Sequence, residues 1–197
     1  MNFAAPALGR SEDPGHRLFV MHTDKGLKML YGLARARQDR RAYVMFLDAD
    51  DLVSNRLAGF VADHHGHHGW YFEKGYRLNE STPPVLFWRH KFYHECGSSY
   101  ILRGDLAPFP DQINEAADLN DYFVRRYVVH AYVKDDFERR GKLLSPLPFY
   151  GAIYTFNGQN FFANDYRKKD GKARAWMRNL VKSVRISDSL REEFGLV

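Results

Sequence analysis

The stretch from Tyr43 to Ser54 constrains the fold of this chain more than any other part of the sequence. It begins as an unbroken apolar run over residues 43–47 and ends in three carboxylates, Asp48, Asp50 and Asp51. Such a run, bounded by polar residues, is typical of a fully buried strand in a parallel sheet. Because side chains alternate along a strand, we expect Asp48 and Asp50 to share a face at the carboxyl end, where open α/β sheets bind ligands.

Paired carboxylates in this position suit more than one kind of chemistry. They can hold a hard divalent cation through oxygen ligands and leave coordination positions open for a diphosphate. One of them can instead act as a general acid, a general base or a nucleophile. A third interpretation is an acidic turn that caps the helix after it, although a cap requires one acid and this stretch has three.

The length, net charge and cysteine content of the chain indicate its domain size, its partners and its cellular compartment. The chain has 197 residues, which is enough for one domain with a sizeable core. Its net charge of +5 favours anionic partners such as nucleotide phosphates or an acidic membrane. The Lys and Arg residues are scattered and no nucleic-acid motif is present, so we expect no nucleic-acid partner. The single cysteine, Cys96, excludes an internal disulfide framework and fits a reducing compartment, so we expect a cytoplasmic protein.

In the first half of the chain, short apolar runs that predict strands alternate with segments that we predict to be helices. We expect a loose leader over residues 1–17, a short strand at Leu18–Met21 and a helix that starts at Thr23 or Asp24. A second helix is predicted from Asn55 to about His64. The histidine-rich segment 64–68 suggests a metal cluster, but its central glycine favours an exposed turn over a zinc site.

The second half contains further strand patterns and two helical stretches. A strand or hairpin is predicted over Gly69–Phe72 and Tyr76–Leu78, and strands are predicted at Tyr100–Leu102 and Ala152–Thr155. Residues 118–140 are predicted to form a helix with a break. Residues 167–197 form a basic tail that we expect to be helical, and it either packs on the domain or contacts an anionic membrane peripherally.

Small residues precede the predicted strand at Tyr100. They let a ligand approach the backbone closely, and they are Cys96, Gly97, Ser98 and Ser99. A Cys96 nucleophile assisted by His94 is an alternative, but an inert buried cysteine is far commoner.

Taken together, these motifs resemble the family 2 glycosyltransferases, whose catalytic domain has the GT-A nucleotide-sugar fold. The matching features are Asp24-Lys25-Gly26 before a helix and then a hydrophobic strand that ends in the D-x-D motif Asp48-Ala49-Asp50. Gly69-Trp70-Tyr71 and the Cys96–Ser99 segment also look like a bacterial branch of the family. The resemblance covers roughly residues 18–160.

The resemblance implies a fold and an activity. The fold would be a single GT-A-like α/β domain over residues 1–197, with a mostly parallel central sheet flanked by helices. The activity would be transfer of a sugar from a nucleotide-diphosphate sugar to an unknown acceptor, which could be a saccharide, a lipid or a protein. The cofactor would be Mn²⁺ or Mg²⁺, held by Asp48 and Asp50, because a metal neutralises charge on the leaving diphosphate.

Other residues receive roles from the same resemblance. The nucleotide-sugar site would include Asp24, Lys25, Gly26, Asp48, Asp50 and Asp51, with Lys25 near the phosphates. The acceptor side would include Trp70, Cys96, Gly97, Ser98 and Ser99. The candidate catalytic bases are Asp118, Asp121, Asp135 and Asp136, and the sequence does not choose among them.

The family domain usually opens with strands that have no counterpart before Leu18, so we expect a GT-A domain that is N-terminally incomplete. In that case Leu18–Met21 would be an exposed edge strand, and its unpaired backbone groups would favour self-association.

Two other functions remain open at this point. One is a degenerate sugar-nucleotide fold that binds a ligand or partner without catalysis. The other is a haloacid-dehalogenase-type phosphatase, in which Asp48 would be the nucleophile and Asp50 the general acid.

Overall fold

The structure of the protein is a computed structural model that describes residues 14–79, 85–107, 128–156 and 183–196. The helices and strands given below lie in these four segments. Four α-helices are described: α1 (Pro14–Gln38), α2 (Leu57–Asp63), α3 (Val133–Arg139) and α4 (Asp188–Phe194). Short 3₁₀ helices occupy Phe92–His94 and His130–Tyr132. The strands are β1 (Tyr43–Met45), β2 (Leu52–Val53), β3 (Gly69–Tyr71), β4 (Lys74–Asn79), β5 (Val85–His90), β6 (Tyr100–Arg103), β7 (Ser145–Pro146), β8 (Ala152–Phe156) and β9 (Ser183–Val184).

The chain divides into two units that are interleaved in sequence. The first comprises Met1–Phe46, His67–Trp70 and Tyr100–Ser145. The second comprises Leu47–Gly66, Tyr71–Ser99 and Pro146–Val197.

Helix α1 replaces the strand that we predicted near the N-terminus. The residues Leu18–Met21 lie inside this helix, so the strand prediction is wrong, and so is a loose leader for the part that begins at Pro14. Buried side chains recur along it at helical spacing: Val20, Thr23, Leu27, Leu30 and Leu33. A four-residue apolar run does not distinguish a strand from a helix, and the continuing helical spacing decides between them. Because Leu18–Met21 is helical, it is not an exposed edge strand through which the chain could self-associate.

The fold is mixed α/β, as expected, but its sheets are mixed and not mostly parallel. One sheet has the strand order β1–β6–β3–β7 and the other has the order β2–β8–β4–β5–β9. Strand β4 is parallel to β8, whereas β6 is antiparallel to β1 and β5 is antiparallel to β4. Parallel neighbours need a crossover of a dozen or more residues, and only residues 80–84 separate β4 from β5. The short connection therefore makes this pair antiparallel.

Strand β1 is shorter and less buried than the predicted central strand. It covers only Tyr43–Met45, and all three residues are half-buried. The ladder with β6 pairs Met45 with Ile101 at its last position. Beyond it, the amide of Asp48 donates to the hydroxyl of Ser98, and the strand ends at Met45, before the acids.

The second unit has its own core on one face of the five-stranded sheet. Leu86 and Ile153 are completely buried and pack with Phe194 of α4. The side chains that pack around them come from β2, β4, β9 and the α4 region: Leu52, Tyr76, Leu78, Val184, Ile186, Leu190 and Leu196. Helix α4 is capped by Ser187, whose hydroxyl accepts the Leu190 amide.

Most of the other predicted elements within the described residues are confirmed. Helix α2 lies inside the predicted Asn55–His64 segment, residues 64–66 form a turn, and β6 and β8 match their predictions. The basic tail, residues 167–197, was predicted to be helical, which is wrong at Ser183–Val184 because these residues form β9. Residues 167–182 of the tail lie outside the described residues. No helix in the described part of the chain is both long and apolar enough to span a membrane.

Candidate functional site

The three acids that follow β1 lie in a turn, which we call the acid turn (residues 48–51). The amide of Asp51 donates to the carbonyl of Asp48 at 3.1 Å and closes the turn. Asp48 is half-buried, Asp50 is exposed, and Asp51 is only 6% exposed. The prediction that Asp48 and Asp50 share one face of a strand is wrong, because neither residue is in a strand.

The carboxylate of Asp51 is the centre of a buried hydrogen-bond network in the second unit. Its Oδ2 accepts from the Ser98 hydroxyl at 2.7 Å and from the Cys96 thiol at 3.2 Å. Its Oδ1 accepts from the backbone amide of Thr155 at 3.2 Å. All three partners donate, which is the arrangement that a carboxylate requires. Asp51, which we predicted to bind the nucleotide sugar, therefore anchors the acid turn to the loop before β6 and to β8.

The electrostatics of Asp51 reflect its burial. Burial raises the pKa of its carboxyl group above the ordinary value of 3.8, and the charge of Asp48 acts in the same direction. The hydrogen bonds from Ser98, Cys96 and Thr155 oppose this shift because they favour the ionised form.

Cys96 has the properties of a structural thiol. Its side chain is completely buried, and burial followed by the charge of Asp51 raises its pKa well above the ordinary value of 9.0. A nucleophilic cysteine needs a lowered pKa and access to substrate. His94, the suggested assisting base, is exposed, and its ring lies 4.3 Å from that of Tyr93 at a tilt of 35°. The geometry therefore does not support a nucleophilic Cys96.

The rest of the predicted acceptor loop is also largely buried. Ser98 and Ser99 are completely buried, and Gly97 is half-buried. The Ser99 hydroxyl donates to the Cys96 carbonyl at 2.6 Å. The Ser99 contact lies within the loop, while Ser98 and Cys96 hold the loop against the acid turn, and the predicted role in acceptor binding stays a prediction.

The acid turn offers Asp48 and Asp50 as the residues that could hold a metal. Within the described segments, no three His, Cys, Asp or Glu side chains are arranged to bind an ion by themselves. Mg²⁺ in nucleotide sites is commonly held by one or two carboxylates together with phosphate oxygens and water. Two oxygen donors on a well-anchored turn fit that type of site.

The Asp24-Lys25-Gly26 segment lies within α1 and not before a helix, so its predicted local structure is wrong. Asp24 forms an ion pair with Lys28 at 2.6 Å, and Gly26 is buried. The predicted role of Asp24, Lys25 and Gly26 in nucleotide binding remains a prediction.

Trp70, which we assigned to the acceptor side, is part of the first unit's interior. Only 2% of its surface is exposed, and its ring lies 5.2 Å from that of Tyr43 and 5.3 Å from that of His67. The preceding Gly69 has a φ of 140°, and a Cβ there would lie 2.3 Å from the carbonyl oxygen of Ile101. This strand is therefore closely packed around the tryptophan.

The candidate catalytic bases differ in their surroundings. Asp118 and Asp121 lie outside the described residues. Asp135 is exposed in the first turn of α3, while Asp136 is buried and pairs with Arg140 at 3.2 Å. The ion pair gives Asp136 a structural partner, and the choice of base is still open.

Two contacts of the second unit were not anticipated from the sequence. Thr155 binds Asp51 through its backbone amide, which no side-chain pattern could reveal. Glu193 of α4 accepts the Ser54 hydroxyl at 2.6 Å, just beyond β2. The Ser98 contact had a detectable signal, because hydroxyls next to a buried strand must be hydrogen-bonded.

Comparison with protein-family models, curated proteins and solved structures gives no match to this chain.

Proposed function

We propose that the protein is a metal-dependent glycosyltransferase of the GT-A type, which transfers a sugar from a nucleotide-diphosphate sugar to a saccharide, lipid or protein acceptor. Asp48 and Asp50 would hold Mn²⁺ or Mg²⁺ and, through it, the diphosphate. The metal would supply neutralisation of the charge that develops on the leaving diphosphate. The family resemblance suggests this assignment, and the anchoring of the acid turn by Asp51 is the structural observation that supports it.

The anchoring separates the three acids into two roles. Asp51 is withdrawn into a network with three donors, so its carboxylate already has partners. Asp50 is exposed and Asp48 is half-buried, so both residues are more accessible to solvent than Asp51. A metal site benefits from ligands on a backbone that is held in place before the ion arrives. The buried third acid provides that support.

The test is a turnover assay on a panel of UDP- and GDP-sugars with and without Mn²⁺. Because the acceptor is unknown, release of nucleoside diphosphate is measured both in water and with mixed saccharide and lipid acceptors. Metal-dependent release that is lost in Asp48→Asn and Asp50→Asn supports the proposal. Asp63→Asn is the matched control, because Asp63 is an exposed acid at the end of α2.

The same assay separates the alternatives. Hydrolysis of a generic phosphate ester, without release from any nucleotide sugar, would favour the phosphatase. Metal-dependent nucleotide binding without turnover would favour a binding domain that lacks catalysis.

A further inference from the structure

The hydroxyl of Ser98 connects the buried anchor of the acid turn to the acid that we assign to the metal. Its Oγ lies 2.8 Å from the amide nitrogen of Asp48 and 2.7 Å from Oδ2 of Asp51. An amide N–H can only donate, so Ser98 accepts from Asp48. An ionised carboxylate can only accept, so with Asp51 ionised the Ser98 hydroxyl donates its proton to Asp51.

The two peptide groups of Asp48 are both held in this arrangement. Its N–H donates to Ser98, and its C=O accepts from the amide of Asp51 at 3.1 Å. The backbone of Asp48 determines the direction of its Cα–Cβ bond and hence the region that its carboxylate can reach. Since β1 has ended at Met45, this orientation is set by the two contacts and not by a strand ladder.

We infer that Ser98 is a positioning residue that aims the Asp48 carboxylate at the divalent cation. This inference rests on the proposed function. Ser98 is completely buried, so it acts through Asp48 and does not reach the ion. Residues that orient metal ligands typically change metal affinity by about 10–100-fold when they are mutated.

Ser99 provides a matched control in the same loop. It is also completely buried, and its hydroxyl donates to the Cys96 carbonyl at 2.6 Å. Ser99→Ala therefore removes one buried hydroxyl of the loop without removing the hydrogen bond to Asp48.

The experiment measures Mn²⁺ affinity by electron paramagnetic resonance on the full chain, with Mn²⁺ alone and with Mn²⁺ plus UDP or GDP. Ser98→Ala should weaken Mn²⁺ binding by about 10-fold or more, whereas Ser99→Ala should stay within about twofold of wild type. Ser98→Cys keeps a weak donor and acceptor in a similar volume, so its affinity should lie between those of wild type and Ser98→Ala. It also serves as the test variant if Ser98→Ala does not fold.

A second readout needs no metal. Hydrogen exchange at the Asp48 amide should be faster in Ser98→Ala than in wild type and unchanged in Ser99→Ala. Equal Mn²⁺ affinities for Ser98→Ala and Ser99→Ala, or an unchanged exchange rate at Asp48, would overturn the inference. Failure of the proposed function gives a different result, because Asp48→Asn and Asp50→Asn would then bind Mn²⁺ as wild type does.

Discussion

The backbone amide of Thr155 donates a hydrogen bond to Oδ1 of Asp51, which lies 104 positions earlier in the chain. The contact follows from the pairing of β2 with β8, which places Leu52 opposite Ile153. It joins the acid turn to β8, which lies between β2 and β4 in the second unit's sheet. The position of the acid turn therefore depends on packing between distant parts of the sequence, and Asp51 is the residue that makes the connection.

Replacement of Asp51 should destabilise the second unit. In Asp51→Ala the Ser98 hydroxyl and the Thr155 amide lose their acceptor inside the protein, at an expected cost of about 2–4 kcal/mol in the free energy of unfolding. Asp51→Asn keeps one acceptor oxygen but places its NH2 group opposite a donor, so it should also destabilise the protein, by about 1–3 kcal/mol. Urea unfolding measures both values. Asp50→Asn is the control, with an expected change of about 0.5 kcal/mol or less because Asp50 is exposed.

Because the pKa of Asp51 is raised, its contribution to the free energy of unfolding should decrease as the pH rises. Between its ordinary value of 3.8 and its raised pKa, the native protein binds more protons at this group than the unfolded chain does. The stabilising contribution is therefore complete below the ordinary value and is lost as the pH rises through the raised pKa. The free energy of unfolding of wild type, measured relative to Asp51→Asn, should decrease over that range and then become constant.

Asp105 should change the free energy of unfolding with pH in the opposite direction to Asp51. The hydrogen bond from Arg103 lowers the pKa of the Asp105 carboxyl group. Its contribution should decrease as the pH falls through that lowered pKa, and it should be small because Asp105 is exposed. A relative stability of wild type that increased with pH over the Asp51 range would contradict the assignment for Asp51.

The local signals in the sequence predicted several elements correctly. The apolar runs at Tyr100–Leu102 and Ala152–Thr155 predicted β6 and β8, and the predicted helix Asn55–His64 contains α2. The sequence predicts that residues 48–51 are the chemical centre, which stays a prediction, and it does not distinguish the surroundings of the three acids. Neighbouring acids differ only in what surrounds them, and the partners of Asp51 come from positions 96, 98 and 155.

The Cys96 thiol should react slowly in the native protein. It is completely buried and its pKa is raised well above 9.0, so little thiolate is available at pH 8. Cys96 is the single cysteine of the chain, so labelling reports on this site alone. Labelling with iodoacetamide should be at least about tenfold slower before than after denaturation, and faster in Asp51→Ala than in wild type. Native labelling at the denatured rate would show that the network is open.

Gly75 is predicted to be intolerant of a side chain. A Cβ at this position would lie 2.4 Å from the ring of Phe92, which is completely buried. Gly75→Ala should therefore lower the free energy of unfolding by about 1–3 kcal/mol. Gly59 in α2 is the control, because a Cβ added there would meet nothing within 4 Å, and Gly59→Ala should instead stabilise the helix by about 0.5–1 kcal/mol. Thermal unfolding of the two variants gives the comparison, and a loss in both or in neither would be the contrary result.

The errors in the fold prediction have identifiable causes. Leu18–Met21 is too short an apolar run to distinguish a strand from a helix, and the buried residues of α1 show the helical spacing only over a longer window. The parallel-sheet prediction treated the apolar run before Asp48 as evidence of burial on both faces. Its first three residues form a half-buried strand that is antiparallel to β6. Strand direction depends on connections that the local pattern does not contain.

The most direct test of the account is whether Mn²⁺ changes nucleotide affinity through the acid turn. Calorimetric titration of UDP and of GDP is carried out with and without Mn²⁺ on wild type and on Asp48→Asn. We expect Mn²⁺ to tighten binding of at least one of the two nucleotides to wild type by about tenfold or more, and we expect this gain to disappear in Asp48→Asn. Nucleotide binding that is the same with and without Mn²⁺, or an equal gain in both proteins, would contradict it.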